Sequence, residues 1–401
     1  MAFEVAIIGG GASGLTALIT LLKHGVDNVV LLERLDRVGK KLVATGNGQG
    51  NLMNLNLSPE NYHSDTEGFF INAIDRFGVR RYKEFLSDLG VVFTEEKSGK
   101  VYPMSKQASS VLDLMRGYLT SKNADIRTGF FVKELTINKD KTFTVRSENG
   151  ETVVAKRVFV ATGGNCQKQF GTDGNGYNLL KKLGHTVTPI YPSLVQLKSD
   201  SQSIKGLHGI KEYVKAHAVV DGEIVKTTTG ELLFTDYGVS GNAIFELSGL
   251  LAKAEGKKRE VVVEFMPSFS ENDVRAMVEA RNRLYYVEKQ DLLTGFVHKT
   301  LGRALVKTAK SNAVRDVVAN AKNFRINITG TTGFNYAQVT KGGVCADEVN
   351  HFNMGSKLVK NLYILGELLD VDGDCGGYNL QWAFSSASSA CRNVLVEMGA
   401  L

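Results

Sequence analysis

The segment FEVAIIGGGASGLTALITLLKHGVDNVVLLER, residues 3–34, constrains the fold more than any other part of this chain. Val5 to Ile8 form a short apolar run, which reads as a buried parallel strand. Gly9-Gly10-Gly11-Ala12-Ser13-Gly14 follows as G-x-G-x-x-G, and Leu15, Leu18, Leu21 and Leu22 then fall on one helical face up to Gly25. NVVLLE reads as a second strand closing on Glu33. Gly9 permits a tight turn, Gly11 lets a pyrophosphate approach the backbone, and Gly14 lets the helix pack on the strand. The helix start supplies free N–H groups and partial positive charge. Glu33 stands 24 residues after Gly9, where a carboxylate accepts hydrogen bonds from ribose hydroxyls and repels a 2′-phosphate, although adjacent Arg34 weakens that second point. The pattern predicts an α/β, Rossmann-like dinucleotide-binding domain, without separating FAD from NAD.

Two later strands end in glycine turns. RVFVATGG (157–164) runs into Thr162-Gly163-Gly164, and KNLYILGE (360–367) ends at Gly366-Glu367. Strands that feed such turns point to the carboxyl edge of one sheet, where open α/β folds bind ligands. Beyond Glu367 come Asp370, Asp372 and Asp374, then Gly376-Gly377-Tyr378-Asn379-Leu380 and a helical stretch with the only tryptophan, Trp382. A glycine turn at a second helix start would stabilise negative charge on a reduced flavin ring, while an upstream acid binds ribityl hydroxyls. A calcium loop fits poorly, since the glycine of DVDGD comes too early and Gln381 stands at the twelfth position.

Composition narrows the class. At 401 residues, 43% hydrophobic and 22% charged, the chain reads as globular, and 42 glycines against 5 prolines suit many tight turns. A net charge of +6 is modest, KAEGKKRE (253–260) reads as a solvated loop, and no basic module with stacking aromatics is present, so nucleic acid is not expected as a partner. Cys166, Cys345, Cys375 and Cys391 lack paired spacing, which argues against a zinc site or a disulfide framework. The absence of a signal-like or spanning apolar run leads to the expectation of a cytoplasmic protein without a membrane partner.

Taken together, GGGASGL…LLER, GKKLVATGNGQGN (39–51), VFVATGG, GNGYNLLKKLGHTVTPIYPSLVQL (174–197), GELLFTDYGVSGNAIFELS (230–248), VTKGGV (339–344) and GELLDVDGDCGGYNLQWAFSSA resemble the bacterial three-domain flavoproteins known as BaiN-like or aminoacetone oxidase family FAD-binding enzymes. The resemblance spans nearly the whole chain and implies noncovalent FAD. By matched motif, Gly9, Gly11 and Gly14, with Ala12 and Ser13 between them, and Glu33 with Arg34 beside it, would hold the adenosine diphosphate part. Lys41, Thr45, Gly46 and Asn51 would lie near the pyrophosphate and isoalloxazine. Thr162 and Gly163 would flank the cofactor, with Gly366 and Glu367 at the end of the last strand. Asp370 or Asp372 would reach ribityl or phosphate, and Gly377 to Leu380, including Tyr378 and Asn379, would approach the ring. Val132 would meet the adenine through its backbone. The chain departs from the family pattern GxGRCN at Gly48-Gln49-Gly50-Asn51, losing an arginine and a cysteine, and has Asn242 where SGPA is common.

The expected organisation is a discontinuous, glutathione-reductase-like FAD domain (1–190 and 340–401), a β-barrel-like insert (191–267 and 323–339) and a helical domain (268–322). Alternation between turns such as Asp221-Gly222 supports antiparallel structure in the insert. Ser270 with Asp273 reads as a capping box before Val274, Met277 and Val278, and DLLTGFVHKTLGRALV and NAVRDVVANA also read as helices.

No second G-x-G-x-x-G follows a strand, so a dedicated NAD(P)H domain is not expected; a small-molecule substrate reduces FAD and oxygen reoxidises it, or NAD(P)H docks transiently. The first expectation is oxidation of a small primary amine such as aminoacetone, with Tyr191, Tyr237 and Tyr378 as candidate substrate walls. The alternatives are NAD(P)H-dependent reduction of a conjugated enone and a non-catalytic flavin-binding regulator. No catalytic side chain and no metal ligand is singled out.

Overall fold

The computed structural model describes residues 2–401, which divide into two compact units, 2–190 with 339–401, and 191–338. The first unit is built on a sheet whose strands run in the order Asp125–Arg127, Val29–Leu32, Phe3–Ile8, Thr152–Val160, Phe143–Ser147 and Val132–Ile137. The first four of these pair in parallel, and the last two form an antiparallel meander. The long strand Thr152–Val160 changes neighbour partway along one edge. Its first part pairs with Phe143–Ser147 through Ala155, and from Val158 it pairs in parallel with Leu362–Ile364.

That switch sets the site. Phe3–Ile8, Thr152–Val160 and Leu362–Ile364 become parallel neighbours that all end at one level. Ala161 N donates to Ile8 O at 2.8 Å, Leu365 N to Val160 O at 3.0 Å, and Gly9 N to Leu32 O at 2.8 Å. The three glycine turns therefore leave the same edge side by side. The last residues of these strands, Val5–Ile8, Val158–Val160 and Leu362–Ile364, are apolar and buried, as the interior of a parallel sheet requires.

The first helix, Ala12–Lys23, is buried along most of its length, from Ser13 to Ile19 and again at Leu21 and Leu22. The C-terminal helix, Tyr378–Glu397, packs against it through small residues, and Cys391 Sγ lies 3.5 Å from Ala17 O. Ser385, Ser386 and Ser389 return their hydroxyls to carbonyls of the preceding turn, so this polar stretch stays satisfied while buried.

The second unit is an antiparallel sheet of seven strands with four helices. Its two end strands, Phe324–Asn327 and Gly330–Thr331, are separated in sequence only by Ile328 and Thr329. Two residues span less than about 11 Å, so the sheet must curl until its ends nearly meet, which makes it barrel-like. The helices Glu271–Asn282, Lys299–Thr308 and Val314–Lys322 share one apolar cluster with this sheet, joining Val274, Leu305 and Val317 to Val214, Phe234 and Phe265. The Ser270–Asp273 capping box is present. DLLTGFVHKTLGRALV is helical over a shorter range than its periodicity suggests: the helix starts only at Lys299, because Gly295 takes a left-handed φ of 81° and breaks the run.

Gly14 and Gly11 are glycines for different reasons. A Cβ on Gly14 would overlap the backbone carbonyl of Gly9, whereas a Cβ on Gly11 would meet nothing within 4 Å, at an ordinary φ of −82°. Gly14→Ala is therefore expected to destabilise the cofactor-free chain by about 1–3 kcal/mol. Gly11→Ala should cost less than about 1 kcal/mol. Thermal unfolding of the two apoproteins checks this, and equal losses would contradict it.

Candidate functional site

The first helix starts at Gly11, an extended N-cap with no side-chain hydrogen bond, so its N–H groups are left for something other than the protein's own side chains. Beside it Glu33 is buried. Its Oε2 accepts from Gly10 N and its Oε1 from Leu35 N, both at 2.8 Å. Burial raises its pKa against the pull of those two donors. A carboxylate has about four acceptor positions, so two remain for hydroxyl donors. Arg34 turns away: its guanidinium pairs with Asp173 at 2.7 Å and lies 4.3 Å from the centre of the Phe131 ring. That geometry removes it as a ready partner for a 2′-phosphate.

The loop after the short helix Lys40–Ala44 takes left-handed backbone at Gly46, Asn47, Gly48 and Gly50. Gly46 closes it tightly, since its Cβ would sit 2.9 Å from Asn51 N. Thr45 Oγ1 donates to Leu42 O at 2.7 Å, and Asn51 Oδ1 is buried without a hydrogen-bond partner among the described residues. Lys41, in the helix before this loop, reaches Glu367, with Nζ 2.6 Å from Oε2. Glu367 Oε1 accepts from Thr340 N at 2.9 Å, and Thr340 Oγ1 lies 3.2 Å from the buried Cys166 thiol, whose pKa burial pushes up to about 12. Burial works against the Lys41 charge, but the attraction and hydrogen bond of Glu367, together with the nearby Cys166 thiol, more than offset it and raise the lysine pKa.

The third turn touches the first. Gly366 has φ 66°, and a Cβ there would overlap Ser13 Oγ. Its N–H donates to Ser386 Oγ at 3.0 Å, and its carbonyl accepts from Trp382 Nε1 at 3.1 Å. Thr162 Oγ1, on the second turn, is buried with no partner and fills the space above Gly176. Gly163 sits against Thr172.

Beyond Glu367 the acids are separately engaged. Asp370 Oδ2 accepts from Asp65 N at 3.1 Å, Asp372 pairs with Lys341 at 2.9 Å, and Asp374 Oδ1 lies 2.9 Å from His63 Nε2. Asn379 clamps the loop by bonding both N and O of Gly373 at 2.8 and 2.9 Å. Gly377, with φ 102° and Met53 C only 2.6 Å from an added Cβ, admits no side chain at the helix start. Tyr378 is buried against Tyr62, whose hydroxyl donates to Tyr378 O at 2.9 Å. Leu380 is partly buried in the same core.

The structure brings Gly9 to Gly14, Thr162, Gly163, Gly366 and Glu367 to one sheet edge, with Lys41 joined to Glu367 and Asp370 a few residues beyond. Val132 begins its strand with its carbonyl taken by Asn175 Nδ2 at 2.8 Å, leaving the backbone N–H as its remaining polar group. Tyr191 opens a short strand of the second unit, and Tyr237 is exposed in a turn there. Sequence reasoning named neither Thr340 nor Lys341 individually, although both lie in VTKGGV.

Three features bear on whether an adenine dinucleotide fits. The open space over Gly11 is a cradle that a single methyl would invade, the first helix is uncapped, and Glu33 keeps acceptor capacity at a buried position. The orphaned Asn51 Oδ1 and Thr162 Oγ1 add polar groups with no protein partner. The donor set fits such a group.

Burial raises the Asp370 carboxyl to about 6, with Asp65 and Asp372 adding repulsion. A folded-state value above the ordinary 3.8 means the fold favours the protonated form. Its contribution is intact below pH 4 and is lost as the pH rises through 6, a change of up to about 3 kcal/mol. Asp370→Asn should flatten that part of the apoprotein stability–pH curve, which urea unfolding between pH 4 and 7 measures; an unchanged slope would refute it.

Residues 3–393 match the HI0933-like protein Rossmann domain family. The chain is 37% identical to a 3-dehydro-bile acid delta(4,6)-reductase of Clostridium scindens, over 97% of this chain and 98% of that protein. It is 27% identical to the ribosomal RNA dihydrouridine synthase of Escherichia coli, over 98% of each. Among solved structures, 3-ketosteroid delta1-dehydrogenase of Sterolibacterium denitrificans superposes with a TM-score of 0.53 at 11% identity, covering 99% of this chain and 100% of that one, a likeness of fold. No helix among the described residues is long and apolar enough to cross a membrane. With the three glycine turns on one sheet edge and the match running almost end to end, this chain belongs to the HI0933-like Rossmann-domain family.

Proposed function

We propose that this FAD-dependent oxidoreductase reduces a carbon–carbon double bond conjugated to a carbonyl, in a small apolar molecule, with NAD(P)H docking transiently as the electron source. The observation that carries this reading is the 37% identity, over 97% of this chain, to a 3-dehydro-bile acid delta(4,6)-reductase. The second relative makes dihydrouridine, which is uridine with its ring C=C bond saturated beside a carbonyl. Two otherwise different substrates thus share one bond type.

In this reading Gly9 to Gly14 and the start of the first helix hold the pyrophosphate, Glu33 the adenosine ribose, and Glu367 with Asp370 the ribityl chain. Asn51 and Thr162 offer their unpartnered groups. The helix start at Gly377–Tyr378 carries no side-chain cap and favours negative charge placed before it. FAD, when bound, supplies a group that takes up a hydride and passes it on. The chain's own part is to fix orientation: the Asn379 clamp and the Lys41–Glu367 pair hold the two loops rigid.

Oxidation of a small amine, the first expectation from the sequence, draws on family resemblance alone. Tyr378, its main aromatic candidate in the first unit, is buried against Tyr62 and offers no open wall.

Anaerobic mixing tests the proposal. NADPH or NADH should bleach the bound flavin, and a 3-oxo-Δ4,6 steroid should restore its colour while gaining two hydrogens by mass spectrometry. Bleaching by aminoacetone and not by NAD(P)H would move the reading to an amine oxidase. Restoration by uridine-containing RNA and not by the steroid would give the chain the substrate class of the Escherichia coli relative.

A further inference from the structure

His63 ends the short strand Tyr62–His63, which pairs antiparallel with Asp372–Gly373 and sets His63 opposite Asp372. Asp372 and Gly373 lie between the third glycine turn and the start of the C-terminal helix, the stretch along which the FAD reading runs the ribityl chain and the ring. His63 Nε2 is 2.9 Å from Asp374 Oδ1. A carboxylate only accepts, so Nε2 carries the proton and Nδ1 is the ring's second polar atom, with no partner among the described residues. The side chain is 34% exposed, within reach of a ligand. The pair is not needed to hold these strands together. Asp374 N donates to Asn61 O and Tyr62 Oη to Tyr378 O, both at 2.9 Å, while Asn379 fastens Gly373.

The other histidines of the first unit are placed differently. His185 spends both ring nitrogens, on Glu348 at 3.1 Å and Ser356 at 2.9 Å. His351 meets Asn72, and His24 caps the far end of the first helix beside Thr20 O. Other acids near the turns are poorly suited to giving up a proton to a ligand. Burial pushes the Cys166 thiol up to about 12, and Asp370, though raised to about 6, is buried and holds Asp65 N.

We infer that His63 is the proton donor of the proposed reduction, passing a proton from Nδ1 to the substrate, with Asp374 as its positioning residue. The inference rests on the enone-reductase reading and names the acid which that reading lacks. A double bond conjugated to a carbonyl takes up a hydride at its farther carbon, and its π electrons move toward the carbonyl oxygen. The nearer carbon then takes a proton. Imidazolium gives it from Nδ1, the N–H electron pair stays on the ring, and neutral imidazole remains with Nε2–H on Asp374. Water restores the proton. One hydride from NAD(P)H and one proton from solvent make up the two hydrogens gained. Asp374 fixes the tautomer and orientation of the ring, as a carboxylate behind a catalytic imidazole does. It is itself held through Asn61 O and through Asn379 Nδ2, 3.4 Å from its carbonyl. The other charged group opposite the ring is Asp372, which faces Lys341, and Asp65 stands two residues along the chain.

The separate half-reactions of the full-length holoprotein test this. In His63→Gln, bleaching by NADPH should stay within about twofold of wild type, while recolouring by a 3-oxo-Δ4,6 steroid should slow about a hundredfold or more. Wild-type recolouring should fall as rising pH removes the imidazolium, and in the variant that dependence should vanish. Asp374→Asn should slow the same step by a smaller factor. A second readout needs no turnover: diethyl pyrocarbonate should label His63, and the steroid should block that label while leaving His24 labelled as before. Recolouring at the wild-type rate or with the wild-type pH dependence in His63→Gln would overturn the inference, as would labelling of His63 that the steroid does not slow. Equal loss of bleaching and recolouring would also overturn it, by assigning the imidazole to cofactor binding or folding. A wild-type protein that no such steroid recolours overturns the enone reading itself, a result distinct from a defect confined to the variant.

Discussion

The contact on which the first unit depends is the one at Gly366. Its missing side chain admits Ser13 from the first helix, while its N–H and C=O are taken by Ser386 and Trp382 of the C-terminal helix. Three groups from two distant segments converge on one residue. Any side chain there would have to displace Ser13 or abandon a left-handed φ that costs a non-glycine residue about 1 kcal/mol or more. Because Trp382 and Ser386 are one helical turn apart, they grip the peptide as a pair. The chain's only tryptophan is a clamp on backbone; its indole N–H is spent on a carbonyl inside the core.

Much of this was legible in the sequence wherever local physics decides it. A short apolar strand, a glycine turn and a 3.6-residue apolar period specify the strand–turn–helix at residues 3–23 almost without tertiary help, and the structure has it at Phe3–Ile8 and Ala12–Lys23. The glycine turn ahead of the C-terminal helix was equally readable, since Gly377 tolerates no side chain against Met53. Boundaries were less so. The helix at Lys299–Thr308 is shorter than its apolar pattern because Gly295 takes a left-handed conformation that composition alone does not announce.

Partnerships across the chain were illegible, and for a physical reason. A carboxylate's partner depends on which loops meet, and the pairs Lys41–Glu367, Lys341–Asp372 and Asp370–Asp65 N join segments with no sequence signal linking them. DVDGD looks like one acidic cluster in the sequence. In the fold its members diverge: Asp372 faces a lysine, Asp374 a histidine and Asp370 a backbone N–H, and burial lifts the carboxyls of both Asp370, to about 6, and Asp372. His63 escaped notice on the same grounds, because its carboxylate partner stands 311 residues further along the chain.

These pairings also determine what holds an anionic ligand here. Arg34, Lys41 and Lys341 are each already matched by a carboxylate, of Asp173, Glu367 and Asp372 respectively. In the proposed reading a pyrophosphate at the first turn would draw little on those three, and its attraction would come largely from the uncapped N–H groups at Gly11 to Gly14 and the field of a twelve-residue helix behind them. Backbone donors cannot swing away, and they point wherever the Gly9 and Gly14 contacts fix the turn. Long cationic side chains would add attraction without that constraint. In the proposed reading, a cofactor held by fixed donors at one end and by polar groups around Glu367 and Asp370 at the other would keep its register along the sheet edge, and a constant register is what placing a ring against a substrate requires.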